Sequence, residues 1–200
     1  MSPSTEPSTT LGLAGTLVSL SEVTSADLVD LRRLDWLRSN QAEMGGWFDR
    51  PAPATGLAPT LFSSKTTGEV HGVLDGFPLP GYPGVVNVSL FTDATRAPRG
   101  YAMDAYGLYV GMLFANGVRI VHHEVLEFNR QVRRILRGID VEPSARLRDH
   151  AYSGGRLWDV LIYSFDREHF SRVLIKFERR RVARPPLETK PPEVQAMVLP

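Results

Sequence analysis

The sequence predicts a mixed α/β domain built on a central, mostly antiparallel β-sheet. The run Val85 to Thr92 is apolar and rich in β-branched residues, and a turn and a helical pattern follow it, as at the start of a βα unit. Two further pairs of short strands, near residues 60–74 and 145–165, are separated by turns of hairpin length. One crossover and two hairpins together indicate a mixed sheet.

Length and composition point to one domain and exclude several functional classes. A chain of 200 residues with 42% hydrophobic residues can build one sizeable core. The net charge of +1 gives no strong field toward nucleic acid or an anionic membrane, so neither partner is expected. The sequence has no cysteine, which excludes disulfides, thiolate catalysis and cysteine metal sites.

The two ends of the chain differ in composition from its centre. Residues 1–14 begin with Ser, Thr and Pro and lack a secretory pattern, so we expect a disordered leader. No apolar run approaches the roughly 20 residues needed to span a bilayer. We expect a cytoplasmic protein with one domain from residue 15 to 178 and a Pro-rich, loosely packed or extended tail over 179–200.

The first half of the chain contains signals for a strand, a helix, a long loop and a hairpin. Ser25 is a plausible N-cap, and the leucines after it recur at helical spacing. Glycines and prolines interrupt any regular pattern in the loop. The elements are a strand at 17–20, a helix at 25–38, a loop at 45–59, and hairpin strands at 60–65 and 70–74.

The second half contains the crossover and the closing hairpin. A Pro and Gly cluster at 76–84 precedes the strand Val85 to Thr92, and Asn116 with Gly117 suits the end of the next helix. The remaining elements are a turn at 93–99, a helix at 101–115, a strand at 118–128, a short basic helix at 130–137, and hairpin strands at 145–152 and 156–165.

The loop from Ala97 to Ala102, between a strand and a helix, predicts a phosphate cradle. Amide groups at a helix N-terminus lack internal partners, and the helix dipole adds partial positive charge. Gly100 and Ala102 leave the approach of a pyrophosphate unobstructed. An ordinary helix cap is the alternative interpretation of the same residues.

The order of elements and three short motifs resemble the GNAT superfamily of acyl-CoA-dependent N-acyltransferases, most closely its ribosomal-protein-alanine N-acetyltransferase branch. The family's phosphate loop reads Arg or Gln, two residues, Gly, one residue, then Gly or Ala; this chain has Ala97, Gly100 and Ala102. EVLEFNRQVRRIL resembles the family's next strand, asparagine and helix, and RLRDHAYSGGRLWDVLIYSF its closing hairpin. The resemblance covers residues 15 to 170.

This resemblance implies a sheet splayed between its fourth and fifth strands, helices on both faces, and acetyl-CoA or another acyl-CoA as co-substrate without a metal. The pyrophosphate would bind amides from Arg99 to Met103, and the pantetheine arm would lie in the splay. Asn129 matches the family's coenzyme-binding asparagine, although it also suits a helix N-cap. The implied coenzyme residues are Val88, Leu90, Thr92, Ala97, Arg99, Gly100, Tyr101, Ala102, Met103, Asn129 and Arg133.

The sequence departs from the family pattern where a base and an acid are needed. Asn87 stands where many relatives carry a glutamate, and Leu136 stands where many carry a tyrosine. We therefore consider His122 and His123 as substitute bases beside Asn87, one on each face of the sheet. A structural histidine next to Glu124 is the alternative for either residue.

The acceptor side is also irregular. Aromatic residues that could line an apolar pocket are Trp47, Phe48, Phe77 and Tyr82, with Tyr152 near the closing hairpin. Trp47 and Phe48 are equally suited to anchor a core. We expect an N-acyltransferase that acts by direct transfer on a small-molecule amine or a peptide N-terminus, in a chain that is compatible with a homodimer.

Two other functional hypotheses remain open on the sequence. One is a GNAT-fold protein that has lost acetyl transfer and serves as a cyclase or binding module for a hydrophobic intermediate; Asn87, Ala97 and Pro98 motivate it. The other is a non-catalytic acyl-CoA sensor. The acceptor, the acyl chain length and the oligomeric state are not specified by the sequence.

Overall fold

A computed structural model describes residues 17–23, 57, 59–93 and 96–183. Seven strands and three helices lie in these ranges. The strands are β1 Val18–Glu22, β2 Thr60–Ser64, β3 Val70–Pro78, β4 Val85–Thr92, β5 Ile120–Leu126, β6 Ala145–Ser153 and β7 Arg156–Phe165. The helices are α1 Tyr101–Ala115, α2 Arg130–Gly138 and α3 Arg167–Ala183.

The strands form one mixed sheet in the order β1-β2-β3-β4-β5-β7-β6. Neighbouring strands are antiparallel except β4 and β5, which are parallel and joined through α1. The predicted α/β class, crossover and both hairpins are confirmed. The helix predicted over 25–38 and most of the loop predicted over 45–59 lie outside the described residues.

The sheet splays between its fourth and fifth strands, as the resemblance implied. Only three residue pairs join β4 to β5, and the last is Asn87 with His122. In contrast, β4 stays paired with β3 up to Thr92. The second half of β4 therefore diverges from β5 and remains paired with β3, which opens a gap between β4 and β5.

Helices α1 and α3 pack against one face of the sheet. Tyr109, Val110 and Leu113 of α1 are fully buried against a cluster that includes Leu74 and Val121. Each such fully buried side chain contributes about 1.5–3 kcal/mol. The core thus fixes α1 beside β4, with its first residue close in sequence to the open end of that strand.

Strand β3 extends four residues beyond its predicted end at Leu74, through Gly76 to Pro78. The sequence placed Gly76 in a turn. A Cβ atom at this position would lie 2.8 Å from the Tyr109 hydroxyl, so the glycine permits close packing of α1 against a strand.

Helix α3 was not predicted from the sequence. The Asp166 carboxylate accepts a hydrogen bond from the amide of His169 (2.7 Å), and Phe170 and Val173 are buried at helical spacing. The helix continues to Ala183, so residues 179–183 are helical rather than extended as predicted. In the part of the chain that the structure describes, no helix is both long and apolar enough to cross a bilayer.

A matched pair of glycine substitutions tests this packing. A Cβ at Gly72 would overlap the Phe62 ring and the Phe91 carbonyl, whereas a Cβ at Gly111 on α1 meets no atom within 4 Å. We expect Gly72→Ala to lower the free energy of unfolding by about 2 kcal/mol or more, and Gly111→Ala to raise it by about 0.5–1 kcal/mol. Urea unfolding measures both; equal effects would contradict this packing.

Candidate active site

The open edge of β4 carries unpaired backbone groups. Odd-numbered residues of β4 direct their backbone toward β3, since Val85 O accepts from Leu79 N and Asp93 N donates to His71 O, each at 3.0 Å. Alternation therefore directs the even-numbered residues, including Leu90, toward β5. Because pairing with β5 stops at Asn87, the N–H and C=O of Leu90 face the gap.

His123 braces the start of this gap. Its Nδ1 lies 2.8 Å from the Val88 carbonyl oxygen, and its ring meets the ring of Tyr106 edge-on at 5.4 Å. Burial lowers the pKa of His123, which favours a neutral ring that donates from Nδ1. This contact fits the structural interpretation of His123 and gives the Val88 carbonyl a protein partner. The role of His123 as a base and the pantetheine contact at Val88 stay predictions.

The half-buried ring of His123 makes stability depend on pH. Because the pKa of His123 is lowered in the folded chain, the unfolded chain binds the proton more readily. The contribution of the neutral ring to folding stability is therefore present above pH of about 6.5 and is lost as the pH falls below it. We expect the free energy of unfolding to fall between about pH 7.5 and about pH 5.5. His123→Gln should flatten this fall.

The exposed residue His150 on β6 provides the control for this measurement. His150→Gln should leave the slope of unfolding free energy against pH as in the wild type. An unchanged slope in His123→Gln, measured by urea unfolding across the same pH range, would contradict the role of the half-buried ring.

The N-terminus of α1 presents backbone donors without protein partners. Gly100, the N-cap residue, is left-handed with φ of 94° and makes no side-chain cap. The amides of Ala102 and Met103 belong to the first turn, where no i−4 carbonyl is available, and they have no partner among the described residues outside the helix. These two amides and the Gly100 backbone lie where the sequence predicts a phosphate cradle, and we use the name cradle for them below.

Two predicted cradle residues have their amides engaged elsewhere. Ala97 N donates to Asp93 O (2.8 Å), and Tyr101 N donates to Pro98 O (3.2 Å). The Tyr101 ring turns toward the ring of His71, with 5.2 Å between the centroids. The amides of Ala97 and Tyr101 therefore hold the loop in shape, and their role in binding the coenzyme stays a prediction.

Charged groups around the cradle have distinct roles. The carboxylate of Asp104 accepts from the amides of Leu17 and Val18 (2.8 and 3.1 Å), so it ties β1 to α1. Arg99 is exposed beside Gly100. Nothing in these contacts places a free negative charge against the amides of the first turn, which keeps the cradle suited to an anion.

Helix α2 brings a second basic surface near the end of β5. The side chain of Asn129 accepts from Val132 N (3.2 Å), which confirms its N-cap interpretation, while its coenzyme role stays a prediction. Arg133 donates to the Glu127 carbonyl (2.7 Å). An open groove of about 530 Å³ is lined by Arg130, Arg133, Arg134, Arg137 and Gly138.

A polar cluster lies on the sheet face opposite His123, where β4 and β5 part. Asn87 and His122 are Cα partners, so their side chains share this face. Asn87 Nδ2 donates to Glu124 Oε1 (2.9 Å), and His122 Nδ1 lies 2.8 Å from Ser164 Oγ. The buried Asn87 Oδ1 has no hydrogen-bond partner in the described structure.

Glu124 is the functional candidate that the sequence prediction missed. The family resemblance points to position 87 on β4, which is an asparagine here, whereas the carboxylate beside it comes from the neighbouring strand β5. The signal was its position two residues after His122, which puts both side chains on one face of β5. Glu124 is exposed, and its partner Asn87 orients the carboxylate.

Among the predicted acceptor residues that the structure describes, Phe77 alone adjoins this cluster. Phe77 is the Cα partner of Asn87. Tyr82 lies in the β3–β4 turn, 66% exposed. Tyr152 is 73% exposed and sits on the opposite face, because its neighbour Ala151 pairs with Trp158 on the face of Glu124. Trp47 and Phe48 lie outside the described residues.

The described residues also contain no group of three or more histidines or carboxylates that could hold a metal ion.

Comparison with solved structures shows which fold this is. The chain superposes on a GCN5-related N-acetyltransferase from Brucella melitensis with a TM-score of 0.61 and 19% identity, over 84% of this chain and 83% of that one. A GNAT-family acetyltransferase from Bacillus anthracis gives 0.61 and 9%, over 78% and 98%. The ribosomal-protein-S5-alanine acetyltransferase from Vibrio fischeri gives 0.59 and 12%, over 79% and 97%.

This likeness shows that the chain has the GNAT fold, as the sequence resemblance implied. At the level of sequence, no family model and no curated protein matches the chain. The low identities mean that the residues of the site, and not the fold, must carry the argument for function.

Proposed function

We propose that this protein is an acyl-CoA-dependent N-acyltransferase that transfers an acetyl group directly to an amine. The observation that carries the proposal is the early end of β4–β5 pairing at Asn87, next to a helix whose first-turn amides lack protein partners. An open strand edge and an anion cradle at the same end of β4 suit a long ligand with a diphosphate at one end and amides along its arm.

The coenzyme would use backbone groups more than side chains. Its diphosphate would bind the amides of Ala102 and Met103 at Gly100, where dipole and donors both favour anions. Its pantetheine amides would pair with the backbone of Leu90, as an added strand would. The α2 groove containing Arg133 would take the remaining phosphate, because guanidinium groups bind phosphate in a bidentate manner.

The polar cluster at Asn87 would supply the chemistry. The amine nitrogen forms a C–N bond with the thioester carbonyl carbon, the C–S bond breaks, and coenzyme A leaves as a thiolate. Glu124 would accept the proton that the amine loses, and Asn87 Nδ2, which donates to Glu124 Oε1, would hold the carboxylate in position. The thiolate then takes up a proton from solvent.

His122 is the competing base on the same face. Its Nδ1 is engaged with Ser164 on β7, which lies on the opposite side of β5 from Asn87. Glu124 is preferred because it contacts Asn87 directly. With either residue as the base, part of the rate would come from positioning the amine against a thioester that is already reactive.

Glu124 also bears on the alternative hypotheses. The idea of a cyclase, binding module or sensor came from the amide at position 87, which cannot act as a base. Because Glu124 brings a carboxylate to that amide, loss of transfer is not favoured. The acceptor remains a small-molecule amine or a peptide N-terminus.

A charge placed at either end of α1 tests the cradle. Gly100 and Gly117 both have positive φ, 94° and 87°, at the two ends of the helix. We expect Gly100→Glu to abolish binding of acetyl-CoA and of desulfo-coenzyme A, since its carboxylate repels the diphosphate. Gly117→Glu carries the same charge and backbone strain away from the cradle and should retain binding. Calorimetric titration distinguishes them; equal losses would contradict the cradle.

Removal of the carboxylate tests the base. Glu124→Gln should lower kcat by about 10²–10⁴-fold with little change in the KM for acetyl-CoA, because the amide keeps the shape but cannot take a proton. Release of coenzyme A thiol in the presence of an amine panel measures this. Glu69→Gln, exposed in the β2–β3 turn, is the control. Full activity in Glu124→Gln with loss in His122→Gln would assign the proton to the histidine instead.

A further inference from the structure

A second groove lies beyond the end of β5, between the β5–α2 loop, α2 and the start of β7. Its volume is about 430 Å³. The residues that line it are two aromatic side chains, three arginines and one glutamate: Phe128, Trp158, Arg130, Arg133, Arg156 and Glu127.

Trp158 forms a rigid platform in this groove. Its Nε1 donates to the carbonyl of Ser153 (3.0 Å), and the ring of Phe128 meets it edge-on with 4.8 Å between centroids. The guanidinium carbon of Arg156 lies 3.2 Å from the centre of the Trp158 ring. A guanidinium held over an aromatic face keeps its planar donors in a fixed orientation, at a reduced entropic cost for binding an oxyanion.

The charge balance of the groove is positive. The one carboxylate in its lining, Glu127, is paired with Arg146 (3.0 Å), which also binds Asp159. Arg130 and Arg156 have no acidic partner in the described part of the chain. Arg130 also lines the α2 groove proposed for the coenzyme, so Arg156, which is already oriented, is the guanidinium available to a second anion.

The groove lies in line with the polar cluster. Trp158 is on the same face of β7 as Ile162, the Cα partner of Glu124. Four residues separate Trp158 from Ile162 along the strand, which corresponds to about 13 Å. A ligand with its amine at Glu124 could thus place a second group in the groove without leaving this face.

We infer that the acceptor is an amine whose far end carries an oxyanion, a carboxylate or a phosphate, bound by Arg156 on the Trp158 platform. The identification of the ligand as the acceptor rests on the proposed function. The distance of about 13 Å corresponds to about four extended residues of a peptide. An acidic peptide with its charge at the fourth residue therefore fits both ends.

Direct binding of short peptides tests this inference without requiring turnover. The full chain is titrated calorimetrically with Ala-Ala-Ala-Glu amide, its Gln counterpart and its phosphoserine counterpart. We expect at least one acidic peptide to bind about tenfold more tightly than the Gln peptide or better, as for a hydrogen bond to a charged group. Comparison of the Glu and phosphoserine peptides identifies which oxyanion is preferred.

Variants assign the effect to the groove. Arg156→Gln should abolish the preference and leave acetyl-CoA affinity unchanged, and Arg156→Lys should restore it in part because charge returns without the planar fork. Arg172→Gln, an exposed arginine on α3, should behave as wild type. Equal or absent binding of the three peptides, or loss of acetyl-CoA binding in Arg156→Gln, would overturn the inference; the latter would assign the groove to the coenzyme.

The two proposals can fail separately. A preference for an acidic peptide without acyl transfer would support the anion site in the groove and contradict the proposed acyltransferase function. Equal acyl transfer to neutral and acidic peptides would support the acyltransferase function and contradict the anion site in the groove.

Discussion

The parallel pairing between β4 and β5 stops at Asn87 and His122, and the arrangement of the candidate site depends on where it stops. Immediately beyond, the half-buried ring of His123 lies within hydrogen-bonding distance of the Val88 carbonyl, which a continuing β5 pairing would have bonded. The histidine thereby satisfies one buried acceptor and holds the two strands at a fixed separation. The Val88 carbonyl at the start of the gap therefore has a partner, and the N–H and C=O groups of Leu90, further along β4, remain open to a ligand.

Helix α1 links the stability of the fold to the site. Its buried residues, among them Tyr109 and Leu113, fix it to the sheet, and Asp104 ties its first turn to β1. The same turn presents the amides of Ala102 and Met103. A change that loosens α1 would therefore disturb both the core and the cradle, whereas Glu124 and Asn87 on the other face depend on the strands alone.

Much of the fold could be predicted because its signals are local. The run Val85 to Thr92, the glycines of the turns and the N-cap at Asn129 each have a short-range physical cause. Helix α3 was not predicted, although Asp166 and the spacing of Phe170 and Val173 indicate it, because its exposed face is highly charged and prolines follow it closely in the sequence. The pair of Asn87 with Glu124 joins residues far apart in sequence. The different partners of His122 and His123 depend on which face of the sheet α1 packs against. Neither feature follows from composition or spacing.

Hydrogen–deuterium exchange with and without desulfo-coenzyme A measures the protection of the same backbone amides that we propose bind the coenzyme. We expect slower exchange at the amides of Leu90, Ala102 and Met103 on addition of the coenzyme, with the β6–β7 hairpin unchanged. Protection confined to other segments, or no protection at saturating coenzyme, would contradict a coenzyme site in the gap between β4 and β5.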